Sequence, residues 1–152
     1  MEQYHLAFQI QCGYDRLIKL LERQLMNFFE YDSNDDHEKL LAGVETALQK
    51  IQFCFRHIQL KRYQQNGVSV FDPFHSGQNS IFLYYLSRAL ALQGQLSLAD
   101  RVYYLNRTLN AVDFFHQVAL PEIFCVEHPL GSVIGRAEIG NYFFFSQGVT
   151  VG

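Results

Sequence analysis

The chain has 152 residues, 49% of them hydrophobic and 15% aromatic, with a formal net charge of −3. That length suits one ordinary domain or two small ones packed together, and so apolar a composition excludes a disordered chain. A charge this close to balance offers no long-range attraction to nucleic acid or to an anionic membrane, so neither is expected as a partner.

The chain opens on Met1-Glu2-Gln3-Tyr4-His5, which lacks the basic start and apolar core of a signal peptide. Residues 14–29 then place Leu17, Ile18, Leu21, Leu25 and Phe28 on one stripe at helical spacing. The polar run 32–36 supplies an N-cap and an acidic first turn for a second helix from about Asp36 to Ile58. Its apolar face is Leu40, Leu41, Val44, Leu48, Ile51 and Phe55. Gln64-Gln65-Asn66-Gly67 is a turn, and Asp72-Pro73 breaks structure again. Ser76 is placed to cap a third helix that runs through Gln93 and stops at Gly94. Ser97-Leu98-Ala99-Asp100 has the shape of a capping box and opens a fourth helix to about Leu109.

After Asn110 the helical pattern ends. Residues 123–126 form a short apolar strand, and Pro121, Pro129, Gly131, Gly135 and Gly140 punctuate the segment. From Val133 the chain repeats every six residues through Ile139, Phe145 and Val151. Ala137, Phe143 and Val149 follow the first three at a fixed offset of four. A period of six is neither helical nor a plain strand alternation, and it fits a coil of short parallel strands, a β-helix. The run Phe143-Phe144-Phe145 reads as a strand with rings on both faces, the outer one suited to subunit packing. The expected fold is therefore α+β: an all-helical N-terminal domain over 1–111, then the start of a parallel β-helix over 112–152. Charge divides in the same way, since residues 113–152 hold one basic side chain, Arg136, against four acidic ones.

Three cysteines, Cys12, Cys54 and Cys125, have no close pair in sequence. They point to unpaired thiols in a reducing compartment, the cytoplasm by default, and away from a disulfide scaffold or a metal site. His57 lies one helical turn from Cys54 without further ligands of metal spacing. Asp113 precedes His128 by 15 residues, and one turn of a three-sided coil takes about 18. A separation near one turn brings two side chains together on neighbouring coils. A carboxylate beside an imidazole fixes its tautomer and makes the free nitrogen a general base. A surface histidine in the turn before Pro129 satisfies the same spacing. His116 reads as a loop histidine near Asp113, and His75 as a residue that positions the start of a helix.

Val112-Asp113, Glu127-His128, Gly131, Val133-Ile134-Gly135 and the stretch Ser146-Gln147-Gly148-Val149-Thr150-Val151-Gly152 together resemble the serine O-acetyltransferase family. Phe74-His75 with Gln78, and Gln93-Gly94, extend the resemblance to the helices before the coil. It covers residues 71–152 and is loose over 1–70. The resemblance implies a left-handed β-helix of hexapeptide repeats and a trimer or dimer of trimers with active sites between neighbouring coils. It implies acetyl transfer from the co-substrate acetyl-CoA to the hydroxyl of L-serine, giving O-acetylserine in cysteine biosynthesis. His128 matches the family's catalytic base and Asp113 the carboxylate that pairs with it. Glu127 stands where the family usually has Asp, in contact with the amino-acid acceptor.

Arg136 departs from the pattern, standing where the family places an acidic residue that helps bind serine. The stretch from His128 to Gln147 is also one residue shorter than usual. An arginine here repels an ammonium and attracts a carboxylate or phosphate, so another hydroxyl acceptor, such as a surface-polysaccharide sugar, stays open beside serine. The family's second active-site histidine and most of its coenzyme A groove are expected in coils after Gly152. A non-catalytic oligomerisation scaffold is the remaining alternative.

Overall fold

A computed structural model describes residues 8–152; the reading of residues 1–5 lies outside them. Strand β1 (Phe8–Ile10) leads through Gly13, at φ 79°, into helix α1 (Tyr14–Phe28). Leu17, Ile18, Leu21 and Leu25 of α1 are buried, whereas Phe28 has turned outward and is half exposed. Helix α2 (Ser33–Arg56) starts three residues earlier than the sequence suggests. The reason is Asp32, whose carboxylate accepts from the Asn34 amide at 2.9 Å and caps the helix.

That earlier start turns Asp36 inward. Its carboxylate accepts both Nη1 and Nη2 of Arg101 at 2.8 and 3.0 Å, while Arg101 Nη1 also donates to the Glu30 carbonyl. Arg101 holds the Asp36 carboxyl below its usual 3.8. A carboxylate whose folded pKa is depressed stabilises the fold above its unfolded pKa and stops doing so as pH falls through the folded value. Thermal melts from pH 6 down to pH 2 are therefore expected to show a loss below about pH 4 that is smaller in Asp36→Asn. An equal acid loss in both proteins would remove Asp36 as its source.

The N-terminal region is not all helical. Strands β2 (Gln64–Gln65) and β3 (Val68–Phe71) form a hairpin around Asn66 and Gly67, at φ 52° and 79°. Positive φ at both central residues is the tight hairpin turn that Asn-Gly favours. β1 pairs parallel with β3, giving a three-stranded sheet in the order β1-β3-β2.

Helix α3 (Ser76–Leu92) is the centre of the molecule, buried on most of its circumference. Its cap is His75, whose Nδ1 accepts from the Gln78 amide at 3.2 Å, and not Ser76. Helix α4 (Leu96–Asn110) likewise forms without the capping box: no side chain caps it, and the Asp100 carboxylate is bound to His116 instead. Gly94, at φ 78°, makes the corner between α3 and α4.

Five short strands follow: β4 (Asp113–Phe114), β5 (Phe124–Val126), β6 (Val133–Ile134), β7 (Phe143–Phe145) and β8 (Thr150–Val151). β4-β6-β8 stack in parallel as one sheet and β5-β7 as another. The coils are uneven. Asp113 faces Val133 after 20 residues, Phe124 faces Phe143 after 19, and Val133 faces Thr150 after only 17.

The first coil is long because its loop is fastened to α3. Tyr84 Oη donates to the Val118 carbonyl at 2.7 Å and accepts from the Leu120 amide at 2.9 Å, and Tyr85 Oη donates to the Pro121 carbonyl at 3.1 Å. The short step shifts the register by one. Val151 faces Ile134, so the inward column is Phe114, Ile134 and Val151, and Val133 points outward at 40% exposure. Ile139, Phe143 and Val149 pack against the core, Phe143 and Phe145 stack at 4.9 Å, and Phe144 stands out at 58% exposure. One apolar cluster runs from Leu17 of α1 through Phe82 of α3 to Phe124 and Phe145 of the coil.

Candidate active site

Glu127 and His128 occupy the corner that follows β5. The Glu127 amide donates to the Phe145 carbonyl on the next coil at 3.1 Å, which pins the corner from one side. From the other side the first turn of α3 presses on it. A Cβ on Gly77 would lie 2.3 Å from the Val126 carbonyl oxygen, 3.2 Å from His75 Cε1 and 3.4 Å from Tyr63 Oη. Only glycine permits this approach of helix to strand.

His128 is exposed and has φ 52°, the left-handed region that residues with a Cβ avoid. His75 lies under the influence of Glu127 and His128, but burial dominates and lowers its pKa, keeping the ring neutral and its Nδ1 free to cap α3. The Tyr63 hydroxyl beside it is fully buried without a hydrogen-bond partner among the described residues.

Asp113 is half-buried on β4, and its Oδ1 accepts from Tyr103 Oη of α4 at 2.8 Å. Among the described residues no hydrogen bond joins Asp113 to His128. The 15-residue spacing predicts side chains near one full turn apart, but the first coil takes 20 residues to reach Val133. His128 therefore sits one corner before the residue that stacks on Asp113.

His116 lies in a loop, as its sequence suggests, yet it is buried, with Nε2 2.7 Å from Asp100 Oδ1 and its carbonyl accepting from Arg88 at 2.9 Å. Arg136 is exposed and makes no ion pair or hydrogen bond among the described residues. With Gln117, Val118, Ala119, Ala137 and Glu138 it lines an open depression of about 440 Å³.

The thiols are not poised for chemistry. Cys54 donates to the Phe124 carbonyl at 3.2 Å, and burial pushes it up to about 12 and Cys125 up to about 11. Protonated and enclosed, neither acts as a nucleophile near neutral pH. His57 is held by the Phe53 carbonyl at 2.8 Å. No group of three or more His, Cys, Asp or Glu among the described residues could hold a metal ion. No helix among them is long and apolar enough to cross a membrane.

Tyr103 and Gly77 carry no functional signal in the sequence, and Asp100 reads only as part of a capping box. Tyr103 and Arg107 are spaced four apart, about one helical turn, which marks a pair but not its target.

No protein-family model matches the chain, and no curated protein matches it by sequence. A solved serine acetyltransferase in complex with CoA aligns with 90% of this chain and 72% of its own, at a TM-score of 0.55 and 19% identity. The fold is shared with a serine acetyltransferase. At that identity the likeness is one of fold: a helical region followed by the beginning of a stacked parallel coil. The serine acetyltransferase of Neisseria gonorrhoeae aligns at 18% identity and a TM-score of 0.49, covering 87% of this chain and 47% of that one. That of Brucella abortus strain S19 aligns at 15% and 0.47, covering 90% and 50%. The chain thus spans about half the length of these two acetyltransferases.

Proposed function

We propose that the chain carries the acceptor side of a serine O-acetyltransferase site, built on a left-handed coil of hexapeptide repeats. His128 takes the proton from the L-serine hydroxyl, and the oxygen attacks the thioester carbonyl of acetyl-CoA. The carbon–sulfur bond breaks, coenzyme A leaves as the thiol with the proton from His128, and O-acetylserine remains. Asp113 orients the imidazole, and Glu127 receives the acceptor ammonium through a charge-assisted hydrogen bond.

The observation that carries this reading is the corner at His128. His128 is an exposed histidine in a left-handed conformation, directly after Val126 and Glu127, which α3 and the next coil hold; Ala111 and Tyr142 share the conformation, but His128 alone brings a proton-accepting side chain to it. The shared fold supports it, as does the order of Asp113 and His128 on successive faces of the first coil. The outward Phe144 and Tyr142, at 58% and 67% exposure, support assembly into trimers or dimers of trimers through neighbouring coils. We assign the protein to the cytoplasm and to cysteine biosynthesis on the same reading. Thiol release from acetyl-CoA with serine, compared between the protein and its His128→Ala variant, tests it: an unchanged rate removes His128 as the base.

Arg136 favours a second reading of the acceptor. Its uncommitted guanidinium suits a carboxylate or phosphate, and a sugar of a surface polysaccharide would meet it through hydroxyls. If the serine carboxylate is its ligand, Arg136→Glu should raise the serine KM about tenfold while leaving kcat nearly intact, a single exposed charge contact being worth that much at most. An unaltered KM would detach Arg136 from serine and turn the search to other hydroxyl acceptors.

A further inference from the structure

Tyr103 is held on three sides. Its ring meets Phe115 edge-on at 5.2 Å and His116 at 6.3 Å, and the Arg107 guanidinium lies over its other side at 5.8 Å. His116 is itself anchored by Asp100 and Arg88. The phenol is therefore placed by packing and has little freedom to choose its partner.

The direction of its hydrogen bonds is also determined. Arg107 Nη1, 3.4 Å from Tyr103 Oη, can only donate. An ionised Asp113 can only accept, and its Oδ1 is 2.8 Å from the same oxygen. The phenol must accept from Arg107 and give its proton to Asp113. Burial and the Asp113 carboxylate both raise the Tyr103 pKa, so the proton stays on the phenol. Oδ2 of Asp113 makes no hydrogen bond among the described residues.

We propose that Tyr103, backed by Arg107, is a positioning residue for Asp113: it occupies Oδ1 and leaves Oδ2 as the oxygen available to the base. This rests on the reading of Asp113 and His128 as the orienting carboxylate and base. A helical side chain outside the coil thereby sets the orientation of a carboxylate on it, and the buried His116 clamp acts on the same carboxylate through the tyrosine ring.

Steady-state kinetics of the full-length protein test this with Tyr103→Phe, Asp113→Asn, the double variant and His128→Ala. Tyr103→Phe removes one hydrogen bond to a charged group, and kcat is expected to fall about three- to tenfold with the serine KM and the melting temperature preserved. Asp113→Asn is expected to cost more, about a hundredfold, and the double variant no more than Asp113→Asn alone, because the phenol acts only through that carboxylate. A Tyr103→Phe enzyme with wild-type kcat, or losses that multiply in the double variant, overturns the proposal. A His128→Ala enzyme that keeps its rate overturns instead the reading beneath it, whatever Tyr103→Phe does.

Discussion

Replacing His128 by alanine is expected to lower acetyl transfer by about a hundred- to ten-thousandfold, the range for losing a general base. A companion variant separates chemistry from backbone. With φ at 52°, a Cβ at position 128 costs about 1 kcal/mol that glycine avoids. Glycine loses about 0.5–1 kcal/mol through its freer unfolded chain, so His128→Gly should melt close to wild type. It should nevertheless be as inactive as His128→Ala. Added imidazole, small enough to enter an exposed corner, should recover part of the rate in the glycine variant. Retained activity in His128→Gly would show that the corner needs only its backbone shape. An inactive variant with a collapsed melting temperature would place His128 in the fold and not in the reaction.

The second large effect concerns stability. In Gly77→Ala the new methyl group would stand 2.3 Å from the Val126 carbonyl oxygen, a backbone atom that cannot turn aside, so α3 and β5 must separate. Overpacking of this kind costs about 3 kcal/mol, or roughly 10 °C in melting temperature for a chain of this size. The strand that moves carries Glu127 and His128 at its end, and a 1 Å displacement of a catalytic group costs about a hundredfold in rate.

Gly43→Ala is the control. Its methyl meets side chains only, Leu90 Cδ2 at 2.8 Å, Leu90 Cγ at 2.9 Å and Leu86 Cδ1 at 3.0 Å, which can shift where a backbone carbonyl cannot, so a smaller loss of about 1–2 kcal/mol is expected there. Calorimetry of the two variants should rank them in that order. A Gly77→Ala protein as stable as Gly43→Ala would mean that the helix and the coil are not pressed together as described.

What the sequence made legible follows physical range. The stripes of α1 and α2 are local, and helical spacing exposes them; only Phe28 strays, at the last turn where the core has ended. The sheet β1-β3-β2 escapes because its strands have three, four and two residues, too few to display alternation. The caps at His75 and Gln95 were misplaced because a capping motif competes with tertiary partners. Asp100 has one in His116, and Asp36 has one in Arg101.

In the coil the six-residue period was visible, but its register was not. Whether Val133 or Ile134 faces inward depends on a 17-residue step that follows a 20-residue one. The longer step is set by hydroxyls of Tyr84 and Tyr85, more than 30 residues upstream. The Glu127-His128 corner was legible through the family resemblance. The tyrosine that holds Asp113 was not, because no motif records a contact made by one side of a helix.

The fastening of the first coil to α3 has a consequence for how the stack is built. A solenoid is a one-dimensional array whose end units need a neighbour to cover their apolar face. Here the neighbour of the first rung is a helix, and Tyr84 and Tyr85 hold that rung by donating to its carbonyls. Helix α3 is the end-plate of the array. A change that loosens α3 is therefore felt first in the rung nearest to it, and the helical region and the coil share one stability where they meet.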